Sequence, residues 1–398
     1  MRCFIGLVVV LVAHQETCAQ PVDDQNSNGM SDVLEYLGRA PRDMNSRSSS
    51  MGSAGSLLID RSHGQNFDVS GFTEFLISQG WTVVEFDSGP ITESDLAPYD
   101  VVMLPVWQGV EPTPFSEAEI SAIYSYVEGG GGCWAFNEYE DVPTVINSVT
   151  AQFGVTFNND RVTDPTDNEG EDHWPTIHSL VTHPCTIGVQ NYGYYAGCSI
   201  EASDPAKVVA RGDEDASSSE YEGWAPTLAT AIIGRGRVVC SGDMTPLFPS
   251  YYDRLRPDEQ LLLQNTVNWL ACRATWHNYG DGWPGTLGVP DLSPETSPSI
   301  GSDLIVSLEN SLGVQTQAFL LIGSDNIISG TPFGGLLAVV PSAVVSVKLP
   351  AGENQFTAQV PQDESLCGRL VFLQALEIDP GASHGVSFTR GLALMFGK

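Results

Sequence analysis

Two clusters of side chains in this 398-residue chain have the types and spacing to do chemistry. The first is Asp24, Asn26, Asn28, Met30, Asp32 and Glu35, with Gly29 at the turn. Calcium takes six to eight oxygens, and a loop supplies them from alternate side chains, one backbone carbonyl and a bidentate glutamate twelve residues in. Asp24, Asn26, Asn28 and Asp32 fill the alternate positions, Met30 offers its carbonyl, and Glu35 closes the loop. The expected cofactor is calcium. The second cluster begins at Asp60, His63 and Asn66, directly after the apolar run Leu57, Leu58 and Ile59. A carboxylate and an imidazole this close can do acid–base work or hold a divalent metal.

Those residues need a frame. A short apolar run bounded by turn residues reads as a fully buried strand. Further strands are expected at 81–86, 100–106 and 133–136, with a hairpin of 227–233 and 237–240 across Gly234 to Gly236. Between them lie amphipathic stretches. Phe72, Phe75 and Leu76 share one helical face; Ser116 and Glu119 form a capping box ahead of Ile120, Ile123 and Val127. Val145, Ile146 and Val149 mark another helix, and Pro257 opens one that runs to about Ala271. Strands alternating with helices predict an α/β fold, a flavodoxin-like, mostly parallel sheet with helices on both faces. In such sheets ligands bind outside the carboxyl ends of the strands. The edge then collects Asp60, His63 and Asn66, Trp107 and Gln108 after one strand, Asn137 and Glu138 after another, and Asp243 after the last. These eight are the expected ligand-binding set. Asp60, His63, Glu138 and Asp243 are the candidates for catalysis.

The remaining chain divides by composition. Residues 1–19 read as a signal peptide: Arg2, an apolar run from Phe4 to Ala13, then Ala19 at the cleavage position. That run is too short to span a bilayer, so the protein is expected to be secreted or periplasmic with no transmembrane segment after cleavage. The calcium loop occupies 20–37, and 38–55 is a linker rich in Ser and Arg. The α/β domain runs 56–273, interrupted by an acidic insertion at 158–224. Residues 274–300 form a second linker, and 301–398, with short apolar runs between turn residues, form an all-β sandwich-like C-terminal domain. Lys and Arg number 17 against 49 Asp and Glu. That balance argues against nucleic-acid partners, which demand a basic surface. Eight cysteines become six once Cys3 and Cys18 leave with the signal, an even number suited to disulfides. Cys185 and Cys198, both in the insertion, are the expected pair.

Several motifs resemble a known family. Ile59-Asp60-Arg61-Ser62-His63-Gly64, the glycines 129–132 followed by Cys133-Trp134-Ala135-Phe136, His183-Pro184-Cys185 through Val189, and Gly234 through Asp243 followed by Asn265 to Leu270 are similar to the class I glutamine-amidotransferase-like domain. The version is that of gliding-motility and intraflagellar-transport proteins. The resemblance covers about half the chain and implies a domain that generally lacks the amidotransferase nucleophile. The loop at 24–35 resembles the calcium repeats of dockerins and thrombospondin type 3 modules. The tail from Tyr279 resembles a β module carried by many secreted bacterial proteins.

A nucleophile elbow needs its thiol or hydroxyl on a sharp strand-to-helix turn. Cys133 begins its strand, and Cys240 runs into a loop containing Pro246. The expected function is therefore a non-catalytic binding or scaffold protein with its crevice at the sheet edge, taking a small-molecule, glycan or protein ligand. The alternative is a hydrolase acting on carbohydrate or peptide through Asp60, His63 and Glu138.

Overall fold

A computed structural model describes residues 48–50, 55–63, 68–106, 113–139, 144–252 and 256–398. The signal peptide, the calcium loop at 24–35, and Asn66, Trp107 and Gln108 lie outside the described residues. The chain forms two units, one of 53–272 and one containing 273–398.

The first unit is built on an eight-stranded sheet. Its strands are β1 (Ser56–Asp60), β2 (Thr82–Phe86), β3 (Val101–Pro105), β4 (Gly132–Phe136), β5 (Ser179–Leu180), β6 (Lys207–Arg211), β7 (Pro226–Ile233) and β8 (Gly236–Ser241). The spatial order is β2-β1-β3-β4-β8-β7-β6-β5. The first five run parallel and the last three are antiparallel. β1, β3 and β4 are buried along nearly their whole length, as strands covered on both faces must be.

Alternation across the pleat sends the strand residues into two layers. Leu58, Val102, Leu104, Cys133, Ala135, Val238 and Cys240 pack with Ile123 and Val127 of α3 (Glu117–Glu128) and Val145, Ile146 and Val149 of α4 (Thr144–Thr150). On the opposite face Trp134 meets Phe72 of α1 (Ser70–Ser78) edge-on at 5.7 Å. Leu262 and Leu263 of α6 (Pro257–Leu270) line a pocket together with Trp134 and Phe136. Between α1 and α3 lies the short α2 (Glu93–Leu96), and α5 (Pro249–Tyr252) precedes α6. The Ser116–Glu119 capping box is present as expected, with the Ser116 hydroxyl accepting from the Glu119 N–H at 3.3 Å and the Glu119 carboxylate accepting from the Ser116 N–H at 2.8 Å.

The second unit is all-β. A three-stranded sheet of β10 (Leu292–Pro294), β11 (Asp303–Glu309) and β16 (Glu353–Gln359) shares one core with a larger sheet. The larger sheet contains β9 (Thr275–Tyr279), β12 (Thr316–Gly323), β15 (Ala343–Leu349), β17 (Leu370–Ile378), β18 (Val386–Phe388) and β19 (Gly391–Met395). A separate hairpin joins β13 (Asp325–Gly330) and β14 (Leu336–Val340). The expected linkers are corrected here. Residues 274–300 supply β9 and β10, and Ser48–Ser50, inside 38–55, pairs antiparallel with β9. Turn-rich composition hid β9, whose Trp276-His277-Asn278 carries no apolar alternation.

The disulfide expectation is also corrected. Cys185 and Cys198 are both free and buried. Cys185 packs beside Thr266 of α6, whereas Cys198 accepts from the Asn137 amide at 3.5 Å, at the end of β4. Nearness in sequence did not place them together, because the turn at 183–189 docks on the helix and the segment around 198 docks on the sheet. Among the described residues, Cys272 and Cys367 are the disulfide-bonded cysteines.

Candidate functional site

The carboxyl ends of the parallel strands carry two buried polar groupings rather than one. The first is built on β1. Asp60 ends the strand at 0 % exposure, and the turn that follows folds His63 back on it, with Nδ1 2.7 Å from Asp60 Oδ2. The Ser62 N–H and hydroxyl both donate to Asp60 Oδ1, at 2.9 and 2.7 Å. The other ring nitrogen, Nε2, faces Glu119 Oε1 at 3.2 Å. The His63 ring stacks on Phe115 at 3.7 Å. Glu119 also accepts from the N–H of Ile91 at 3.0 Å and from the Ser116 hydroxyl at 2.8 Å. Burial works against the charged form of Glu119, but the Ser116 N–H and hydroxyl, the Ile91 N–H and His63 together hold its carboxyl below the usual range. One carboxylate thus caps α3, ties down Ile91 and anchors His63.

The second grouping joins β4 to β8. Glu138 lies two residues past β4, and Asp243 two residues past β8. The two carboxyls are hydrogen-bonded to each other. Burial, and then the charge of Asp243, push Glu138 well above the ordinary carboxyl range; burial raises Asp243 from 3.8 to about 7. Backbone donors fix both side chains. Met244 N–H donates to Glu138 at 2.9 Å, and Tyr195 and Thr245 N–H donate to Asp243 at 2.6 and 2.8 Å. Asp243 reaches this position because Gly242 passes close under the insertion: a β-carbon there would stand 2.2 Å from the Cys198 carbonyl oxygen and the Tyr194 hydroxyl. Beside the pair, Asn137 Oδ1 is buried with no hydrogen-bond partner.

Asp243 also forms part of a pocket wall. The pocket lies between the sheet and α6 and is lined largely by Trp134, Phe136, Tyr192, Tyr194, Leu262 and Leu263. Its second acidic side chain, Glu259, accepts from the Gly193 N–H at 2.7 Å and from Arg256 at 3.0 Å.

Of the eight edge residues read from the sequence, the structure places Asp60 with His63, and Glu138 with Asp243 and Asn137. Both ring nitrogens of His63 face Asp60 and Glu119, not Glu138. Glu119 carried a signal in the sequence, its capping-box spacing from Ser116, but a cap explains a glutamate fully and gives no hint of a histidine partner. Tyr195 acts through its backbone N–H, for which no sequence pattern exists. The thiols of Cys133, Cys185, Cys198 and Cys240 are all buried, and burial pushes each of them up, Cys133 to about 12. A thiol held so far from its thiolate form is not a nucleophile at neutral pH.

No protein-family model matches the chain, and no curated protein does. Among solved structures it is similar to a cytoplasmic protein of Salmonella typhimurium, at 17% identity and a TM-score of 0.39, covering 54% of this chain and 98% of that one. A ThuA-like protein from Parabacteroides merdae matches at 15% identity and a TM-score of 0.35, over 55% of this chain and 90% of that one. A β-galactosidase from Rahnella matches at 13% identity and a TM-score of 0.36, over 78% of this chain but only 42% of the enzyme. Among the described residues no helix is long and apolar enough to cross a membrane.

Proposed function

We propose that this protein is a secreted, non-catalytic binding protein whose ligand site is the pocket bounded by Asp243. The observation that carries the reading is the placement of Asp243, hydrogen-bonded to Glu138 behind it, in the wall of an aromatic, leucine-lined pocket at the sheet's carboxyl edge. Aromatic faces with a few fixed polar groups are the usual make-up of small-molecule sites. The acidic lining disfavours anions. The pocket's volume of about 40 Å³ admits one hydroxyl-bearing edge of a neutral ligand, a carbohydrate, which gives its O–H to Asp243.

The strand order of the first unit supports a flavodoxin-like reading, and with it the resemblance to amidotransferase-like domains at the level of fold. Acyl chemistry is not part of the proposal, because the buried thiols are poor nucleophiles. Turnover by Asp60, His63 and Glu138 is not part of it either, because His63 is committed to Asp60 and Glu119. The complete ligand pattern at Asp24, Asn26, Asn28, Met30, Asp32 and Glu35 supports a calcium loop, and the run at 4–13 supports export.

The test is saturation-transfer NMR on the full chain with glucose, galactose, mannose, N-acetylglucosamine and their oligomers. At least one is expected to bind unchanged. Asp243→Ala is expected to weaken it about tenfold or more, roughly 1.4 kcal/mol, with an unaltered circular dichroism spectrum. Absence of binding by every sugar, cleavage of a bound sugar, or full affinity in Asp243→Ala would each overturn the proposal.

A further inference from the structure

The acidic insertion at 158–224 contains a second cluster, remote in sequence from the strand ends. Asp164, Asp213 and Asp215 each bring a carboxylate oxygen within 4.8 Å of the others. Two loops supply them. In the first, Asp164 Oδ1 accepts from the N–H groups of Thr166 and Asp167 at 2.9 and 2.8 Å. In the second, Asp213 Oδ1 accepts from the N–H groups of Asp215 and Ala216, both at 3.3 Å. The loops are cross-linked by the Thr166 hydroxyl, which donates to Asp215 Oδ2 at 2.9 Å.

A cluster of acids on a strongly acidic protein would mean little without a second observation. Asp164 provides it. The residue is 0 % exposed, and its other oxygen, Oδ2, is buried with no hydrogen-bond partner. Every backbone donor around Asp164 goes to Oδ1. A buried carboxylate oxygen with no protein donor is costly by several kcal/mol in order of magnitude, and two further carboxylates close by add repulsion. A bound cation removes both penalties together.

We propose that Asp164, Asp213 and Asp215 form a binding site for a hard divalent cation, calcium. The donors are carboxylate oxygens, which suit calcium rather than softer metals. Calcium–oxygen bonds run about 2.3–2.6 Å, so oxygens on opposite sides of the ion stand about 4.6–5.2 Å apart. The cluster already fits within that span, so the ion enters without rebuilding the loops. Water and backbone carbonyls complete the shell. His178 adjoins the cluster, with Nε2 3.4 Å from Asp213 Oδ2 and Nδ1 3.9 Å from Asp167 Oδ2; it is the donor that a softer ion would choose instead. The consequence is structural. The ion would join the loop after Val162 to the loop after Arg211, and so hold the insertion over the sheet edge.

The experiment must separate this ion from any calcium at 24–35. The full chain carrying Asp24→Ala and Glu35→Ala is dialysed to equilibrium with calcium at millimolar concentration. About one ion per chain is expected to remain bound. Adding Asp164→Asn and Asp215→Asn is expected to remove it, while circular dichroism in chelator stays the same, because the asparagine at 164 keeps the oxygen that accepts from Thr166 and Asp167. Should that chain fail to fold, Asp215→Asn alone, on a partly exposed side chain, is expected to weaken calcium about tenfold or more. A background that binds no calcium, an ion count unmoved by the asparagine substitutions, or a site that takes zinc and ignores calcium overturns the proposal.

Discussion

Replacing His63 with alanine is expected to destabilise the α/β unit by about 3 kcal/mol, the order found when buried polar groups are left without their hydrogen-bond partner. The ring lies between two carboxylates, 2.7 Å from Asp60 and 3.2 Å from Glu119, with 2 % of its side chain exposed. Without it, Asp60 and Glu119 face a cavity, and the Phe115 ring loses its stacking partner. The effect is one of folding, not of ligand contact. Urea unfolding followed by tryptophan fluorescence measures it. A double-mutant cycle adds the decisive arm: combining His63→Ala with Glu119→Gln is expected to cost clearly less than the sum of the two, since each substitution removes the contact that the other breaks. Strict additivity, or a loss below about 0.5 kcal/mol for His63→Ala, would show that His63 does not tie Asp60 to Glu119.

The second large effect concerns pH. Glu138 and Asp243 are carboxyls whose folded values lie above their unfolded ones, mainly through burial. The folded state therefore holds protons that the unfolded state releases. Their contribution to stability is fully present below the unfolded values near pH 4. It is lost as pH rises through the folded values, for Asp243 from 3.8 to about 7. For Asp243 this amounts to about 3 kcal/mol between pH 4.5 and pH 8, and Glu138 acts in the same direction. The Glu138→Gln side chain has the same shape, can still accept from Met244 N–H, and can donate to Asp243 without titrating. Its stability is expected to fall less over that interval, because Asp243 alone of the two still titrates, so that the variant overtakes the wild type at pH 8. Comparing the two proteins cancels the general repulsion of an acidic chain. Parallel pH profiles for wild type and Glu138→Gln would remove the shared proton from the account.

The elements that could be read in advance are those whose cause is local. Leu57, Leu58 and Ile59 lie in a strand because an unbroken apolar run needs two covered faces. Pro257 opens α6 because its fixed φ and missing N–H suit a first turn. The β7–β8 hairpin turns at Gly234, whose φ of +58° falls in the left-handed region. The candidate site was legible only as a set of strand ends. Topology said that Asp60, Glu138 and Asp243 share an edge, yet not that the edge divides into two groupings. That division depends on Glu119 and Tyr195, which enter from a helix terminus and from a loop backbone, both non-local. The acidic insertion resisted reading for the same reason: Asp164 and Asp213 are close in space and 49 positions apart in the chain. β9 was missed because its residues have no period-two pattern.

The neighbour relation of β4 and β8 bears on how the chain emerges from the ribosome. β4 ends at Phe136 and β8 begins at Gly236, a hundred residues later. At about 5–20 residues per second, β4 waits roughly 5–20 seconds before its partner exists. During that interval Gly-Cys-Trp-Ala-Phe, buried along its length in the finished sheet, is an open apolar edge beside β3. Such an edge is a template for pairing with another chain. The long acidic segment made in the meantime, residues 158–224, carries charge of one sign past that edge. Nascent chains of this protein would repel one another during the interval in which they are most able to stick.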